Sequence, residues 1–169
     1  MNSRNRDIVL IVHNVRSSHN VGSLLRTADG LGVTKVFLTG YTPYPITSKD
    51  PRLPHLARKI DYQIAKTALG AEHSQPWQFE PSIQKVIRRL QHDGYATVAL
   101  EQSPSAQEIR SFTPPQKVAL IVGNEVSGLD DEILASVKQH VFIPMLGKKE
   151  SFNVVQAAAM ALYQCRYTS

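Results

Sequence analysis

Two short apolar runs separated by one amphipathic stretch constrain this chain more than any other feature. Residues 8–12 are continuously apolar and rich in β-branched side chains, which suits a short strand buried on both faces. Val21, Leu24, Leu25, Ala28 and Leu31 then recur at helical spacing, with Asn20 placed to cap them and Gly32 to end them. Residues 36–39 are strand-like again. A strand, a helix and a strand in this order form a βαβ unit, and two strands joined that way lie parallel in one sheet.

The pattern recurs toward the C-terminus. From Pro81 onward, Ile83, Val86, Ile87 and Leu90 make one helix face, and Lys85, Arg88 and Arg89 make the other. Residues 95–100 and 117–122 are strands, 130–138 a short helix, 140–143 a last buried strand, and 153–167 the final helix. Between them, residues 40–78 hold Pro43, Pro45, Pro51 and Pro54, which predicts a long loop with short helical pieces. The expectation is one α/β domain over residues 1–169, with a mostly parallel sheet of five or six strands flanked by helices. A chain of 169 residues can bury a core of that kind.

Residues 1–7 are polar and lack the longer apolar region of a secretory signal, and no apolar run reaches bilayer-spanning length. Cys165 is the single cysteine, so no internal disulfide can form, and its spacing from Ala161 and Leu162 points to core packing. A cytoplasmic protein without a membrane partner is expected. The formal net charge of +5 is compatible with an anionic partner such as RNA.

Three loops follow predicted strands: residues 101–105, 123–129 and 144–152. In a parallel sheet, ligands bind beyond the carboxyl ends of the strands. The loops therefore gather Gly123, Asn124, Glu125, Gly128, Ser151 and Asn153 at one edge. The common nucleotide fingerprints are absent. Residues 123–128 have the glycine spacing of a P-loop, but Leu129 and Asp130 stand where lysine and a hydroxyl residue belong. No Gly-x-Gly-x-x-Gly follows the first strand, which argues against a dehydrogenase. No Gly-x-Ser-x-Gly elbow occurs, and the histidines and lone cysteine have no metal-site spacing. Each polar residue at this edge has two readings. Glu125 suits a ligand hydroxyl or amine, or a cap on a neighbouring amide. Asn20 and Asn153 are good helix caps, and Asn153 with Gln156 resembles a capping box. Arg26 faces away from its apolar stripe, as a solvated arginine does, or as one aimed at a phosphate or a reacting hydroxyl does. Lys148 and Lys149 are solvated charges or backbone contacts to RNA.

The order of these segments carries a resemblance. Asn20-Val21-Gly22-Ser23-Leu24-Leu25-Arg26-Thr27-Ala28, then Ile121-Val122-Gly123-Asn124-Glu125-Val126-Ser127-Gly128-Leu129, then Ile143-Pro144-Met145 through Ser151-Phe152-Asn153-Val154 are similar to the three motifs of the SpoU-type (TrmH-like) branch of the SPOUT methyltransferases. Residues 66–72 and Trp77 are similar to its middle region. The resemblance runs from Ile8 through nearly the whole chain.

The resemblance implies an α/β fold with a C-terminal trefoil knot, an obligate homodimer, and S-adenosylmethionine bound in the knot. It implies a methyltransferase acting on a ribose 2′-hydroxyl of tRNA or rRNA; other branches of the superfamily modify bases. Carried onto this chain, the implied cofactor contacts are Leu100, Glu101, Gly123, Asn124, Gly128, Ile143, Met145 and Phe152. The implied catalytic set is Arg26, Asn20, Glu125, Ser151 and Asn153, with Arg26 positioning the phosphate and hydroxyl rather than removing the proton. Arg16, Arg52, Arg58, Lys148 and Lys149 are the expected RNA contacts, and no metal is expected. A non-catalytic RNA-binding or ribosome-assembly protein keeping the knotted fold is the alternative. A degraded cofactor loop would favour it.

Overall fold

The computed structural model describes residues 6–168. Seven strands form one sheet in the order β3-β2-β1-β6-β4-β7-β5. Strands β1 (Asp7–His13), β2 (Lys35–Thr39), β3 (Trp77–Glu80), β4 (Ala96–Leu100), β5 (Gln107–Glu108), β6 (Lys117–Val122) and β7 (Gln139–Phe142) are all parallel. The two most apolar runs, β1 and β6, lie side by side at the centre, pairing Ile8 with Val118 through Val12 with Val122.

Helices α1 (Ser18–Gly30), α2 (Pro54–Ala68), α3 (Ala71–Ser74), α4 (Ile83–His92), α5 (Asp131–Ser136) and α6 (Val154–Tyr167) complete the layers. Alternate residues of each strand face opposite sides. Ile8, Leu10 and Val12 pack with α1, α2 and α6, whereas Val9 and Ile11 pack with α4 and α5. Cys165 is fully buried against the first group, and burial pushes its thiol up to about 12.

Residues 40–78 differ from expectation. They contain a fifteen-residue helix, α2, the short α3 and the start of strand β3. All four prolines precede the body of α2, and Pro54 occupies its first turn, where a missing amide costs nothing. The close packing of α2 on α1 also hides its signal. A Cβ at Gly22 of α1 would overlap the Ile64 carbonyl and the Thr67 hydroxyl of α2.

The helix caps differ in detail from expectation. Ser17, not Asn20, caps α1, its hydroxyl accepting from the Asn20 amide at 3.2 Å. Asn153 does cap α6, but it accepts from Val155 at 2.9 Å, so the expected box with Gln156 does not form. Asp130 is the cap of α5 rather than its first residue.

Strand β7 lies between β4 and β5, pairing both Leu100 and Gln107 with Val141. The connection 101–106 therefore passes from one side of β7 to the other. His140 holds it there: Nδ1 bonds the hydroxyls of Ser103 at 2.7 Å and Ser105 at 3.1 Å, while Nε2 faces the carbonyls of Leu134 and Val137. At the opposite end of the sheet, the buried Arg166 donates to the carbonyls of Leu31, Gly32 and Arg6, and Arg6 donates to those of Pro114, Cys165 and Thr168. These two side chains tie α6 to the start of β1 and the end of α1.

Candidate active site

The loops after β4, β6 and β7 and the start of α6 enclose one cleft at the carboxyl edge of the sheet. Leu100, Ile143, Phe142, Val154 and Ala157 give it an apolar wall. Gly123 and Gly128 give it a wall of backbone, and Glu101, Gln102, Asn124, Glu125 and Ser151 supply polar groups. Phe152 stands at the mouth, 37% exposed.

The loop after β6 is a closed turn. Asn124 and Gly128 exchange both backbone hydrogen bonds, at 3.1 and 3.0 Å. A Cβ at Gly123 would come within 2.6 Å of the Gly128 backbone, so the turn closes only over glycine. Asn124 Oδ1 accepts from the amides of Val126 and Ser127, and its Nδ2 donates to the Asn14 carbonyl and the Tyr41 hydroxyl, both at 2.9 Å. Glu101 reaches across from β4 and accepts from the Leu129 amide at 3.0 Å.

Glu125 binds the start of α1. Its carboxylate accepts from the amides of Arg16 and Ser17 at 2.9 and 3.1 Å, and from Asn20 Nδ2 at 3.0 Å. Burial opposes its charge, but the hydrogen bonds from the backbone and from Asn20 outweigh it and hold the carboxyl below its ordinary range. The amide-capping reading of this residue is the geometry found. A carboxyl lowered in the folded state stabilises at neutral pH, and that contribution fades as pH falls through its folded-state value. Glu125→Gln should therefore cost about 1 kcal/mol at neutral pH. The gap in melting temperature from wild type should shrink steadily on acidification; a gap independent of pH would remove the carboxylate from this role.

The structure brings most of the expected residues together. Leu100, Glu101, Gly123, Asn124, Gly128, Ile143, Phe152, Glu125 and Ser151 line the cleft, and Asn20 joins it through Glu125. Met145 does not line it; it faces a neighbouring depression with Pro144, Gly147 and Lys149, because the chain turns outward after Ile143. Asn153 is exposed beside the cleft, with its side chain engaged as the α6 cap.

Arg26 lies six residues beyond Asn20 on the exposed side of α1, outside the cleft, and its side chain has no hydrogen bond or ion pair among the described residues. Arg52 is turned inward. It bonds both oxygens of Asp50 and the carbonyls of Tyr44 and Pro45, and stacks 3.7 Å from the centre of the Tyr44 ring. Its first role is thus to brace its own loop, not to present a charge. Arg16, Arg58, Lys148 and Lys149 are exposed.

Several site residues are new relative to the sequence. Gln102, Phe142, Val154 and Ala157 line the cleft, and Ser17 caps the helix that Glu125 grips. Asn14 stands in the left-handed region, with φ of 54°, and its side chain accepts from the Tyr41 amide at 3.1 Å. An asparagine directly after a strand is a signal for that conformation.

Comparison with known proteins places this architecture. The sequence profile of the SpoU rRNA Methylase family matches residues 7–163. The chain belongs to that family. It is 25% identical over 169 residues to a tRNA (guanosine(18)-2'-O)-methyltransferase of Aquifex aeolicus (strain VF5), covering 98% of this chain and 72% of that protein. It is 26% identical over 163 residues to the enzyme of the same name from Escherichia coli (strain K12), covering 96% of this chain. The chain spans 64% of the length of that second relative. The crystal structure of an AdoMet-bound rRNA methyltransferase from Sinorhizobium meliloti superposes with a TM-score of 0.80 at 23% identity, over 98% of this chain and 58% of that one. The fold is shared.

Proposed function

We propose that this protein transfers the methyl group of S-adenosylmethionine to a ribose 2′-hydroxyl of tRNA or rRNA, and that it does so as a homodimer. The cleft carries the proposal. It combines a glycine-backbone wall that side chains would fill with an apolar wall and a few fixed polar groups, which fits a cofactor having an adenine ring and a charged amino-acid tail. Leu100, Ile143 and Phe152 would hold its apolar part, and the backbone of residues 123–128 its polar edge. When bound, that cofactor supplies an electrophilic methyl group on sulfur. The names of the relatives, and the AdoMet-bound neighbour, point the same way.

The chain's own residues then position the acceptor. Attack must be in line with the departing sulfur, so placement of the hydroxyl is a main part of catalysis. Ser151, an exposed residue of the cleft lining, would bond that hydroxyl. The planar fork of donors on a guanidinium suits phosphate and hydroxyl oxygens, so Arg26 would orient phosphate and hydroxyl. Arg26 stands outside the cleft of its own chain, which favours action on the cleft of a second copy. Met160, Tyr163 and Tyr167 leave an exposed apolar stripe along α6, the kind of surface a second copy would cover. Passage of the segment after β7 through the 101–106 connection, as a trefoil knot, is part of the same reading.

The test is incorporation of label from methyl-labelled S-adenosylmethionine into bulk tRNA or rRNA from a strain lacking the gene, followed by mapping of 2′-O-methyl sites. One restored ribose site is expected. RNA binding without cofactor binding in calorimetry would replace the enzyme with an assembly protein.

A further inference from the structure

Beside the cleft, the surface continues as a shallow trough. Asn124 and Val126, which line the cleft, also line a depression with Arg16, Tyr41 and Ser127. Arg16 and Tyr41 in turn border a second depression floored by Tyr44, Phe79 and Arg52. Among the described residues, no acidic one lines either depression.

Tyr41 is 60% exposed, a large aromatic face held open to solvent. It is also firmly fixed. Its amide donates to Asn14 Oδ1, and its hydroxyl accepts from Asn124 Nδ2, in the turn that walls the cleft. Arg16 is fixed through its backbone amide, which donates to Glu125 in that same turn, while its side chain is exposed and has no partner among the described residues. Below them, Tyr44 stacks on Phe79 with ring centres 4.1 Å apart, and Arg52 covers the other side of Tyr44. The floor is rigid, and its aromatic face is already occupied. Tyr41 is the face left available.

An exposed ring locked in place beside a free guanidinium suits one ligand chemistry. A nucleobase stacks on the ring, and its phosphate meets the arginine. A base within a duplex is already stacked on both faces, so the ligand is an unpaired strand. We infer that Tyr41 is a stacking platform for an unpaired RNA nucleotide neighbouring the one in the cleft, with Arg16 on the adjoining phosphate. This rests on the proposed RNA-modifying function and adds that the accepted RNA is single-stranded at the site. Because the Asn124–Glu125 turn holds both residues, the nucleotide's position is set relative to the cleft wall itself.

The test uses the full chain and an oligoribonucleotide carrying 2-aminopurine, whose fluorescence is quenched by stacking. Wild type should quench the single strand and leave the same sequence annealed as a duplex nearly unaffected. Tyr41→Phe, which keeps the ring, should retain quenching. Tyr41→Leu, which keeps apolar bulk without a π face, should lose quenching and bind about tenfold or more weakly. Arg16→Ala should weaken binding and lower the salt dependence by about one phosphate contact. Melting temperatures of both Tyr41 variants report on folding, and S-adenosylmethionine affinity by calorimetry should be the same in the two, since both lose the hydroxyl that bonds Asn124 and differ only in the ring. Tyr41→Leu quenching like wild type would overturn the inference, as would equal quenching of the duplex. Tyr41-dependent quenching without any methyl transfer would leave the platform standing and remove the enzymatic function instead.

Discussion

Arg26→Ala should melt within about 2 °C of wild type and yet lose roughly a hundredfold or more in kcat. The first half follows from placement. Arg26 is exposed on α1 and its side chain makes no hydrogen bond or ion pair among the described residues, and surface changes of that kind stay within about 0.5 kcal/mol, or about 1–2 °C for a chain of this size. The second half follows from its proposed task, since a misplaced acceptor costs about a hundredfold. Cofactor affinity should change little, because Arg26 lies outside the cleft of its own chain and its proposed task, in either subunit, is to hold the RNA acceptor rather than the cofactor. The informative experiment mixes this variant with one whose cleft cannot hold cofactor. If Arg26 serves the cleft of the other subunit, a mixed dimer contains one complete site, and random mixing restores about a quarter of wild-type activity. If it serves its own cleft, the mixed dimer has no complete site and nothing is restored. Restoration establishes both the dimer and the crossing of Arg26 between subunits; its absence, with dimers present by light scattering, confines Arg26 to its own chain.

The central strands were legible because burial on both faces demands continuous apolar runs, and β1 and β6 have them. Helix α2 was not, for two physical reasons. Its buried positions are mainly small, with Ala57 and Ala68 flanking Ile64, because Gly22 lets α1 approach so closely. Its first turn is marked by a proline that resembles a breaker but is harmless there. Strand β3, Trp77-Gln78-Phe79-Glu80, does alternate apolar and polar residues, but the run is only four residues long and sits between Pro76 and Pro81, which read as loop. Among site residues, those contributed by loops at the carboxyl edge were found because strand order alone collects them. The partner of Glu125 was not, because it lies 105 to 109 residues away in sequence. Arg52 illustrates the opposite error: its charge is visible in sequence, whereas Asp50, which binds it two residues away, sets where that charge points.

Gly128→Ala should weaken S-adenosylmethionine binding by about a hundredfold, while Gly147→Ala, in the next loop, should be nearly silent. Gly128 has φ of +67°, a conformation that costs an alanine about 1–2 kcal/mol. Its Cβ would also overlap the Glu101 carboxylate, which accepts from the Leu129 amide at 3.0 Å. Displacing that carboxylate forfeits the bond, worth about 1.5–3 kcal/mol for a charged acceptor. Both terms penalise the cofactor-binding shape of the turn against a relaxed one, and their sum of about 2.5–5 kcal/mol spans the roughly 2.7 kcal/mol that a hundredfold change in affinity represents. Gly147 has neither problem, since a Cβ there meets nothing within 4 Å. A double-mutant cycle separates the two terms. Glu101→Ala should itself weaken binding, and adding Gly128→Ala to it should cost only the backbone strain, less than Gly128→Ala costs in wild type. Full additivity would mean that the two residues act separately on the cleft. A Gly128→Ala protein that binds cofactor like Gly147→Ala would mean that the turn between β6 and α5 is not where the cofactor sits.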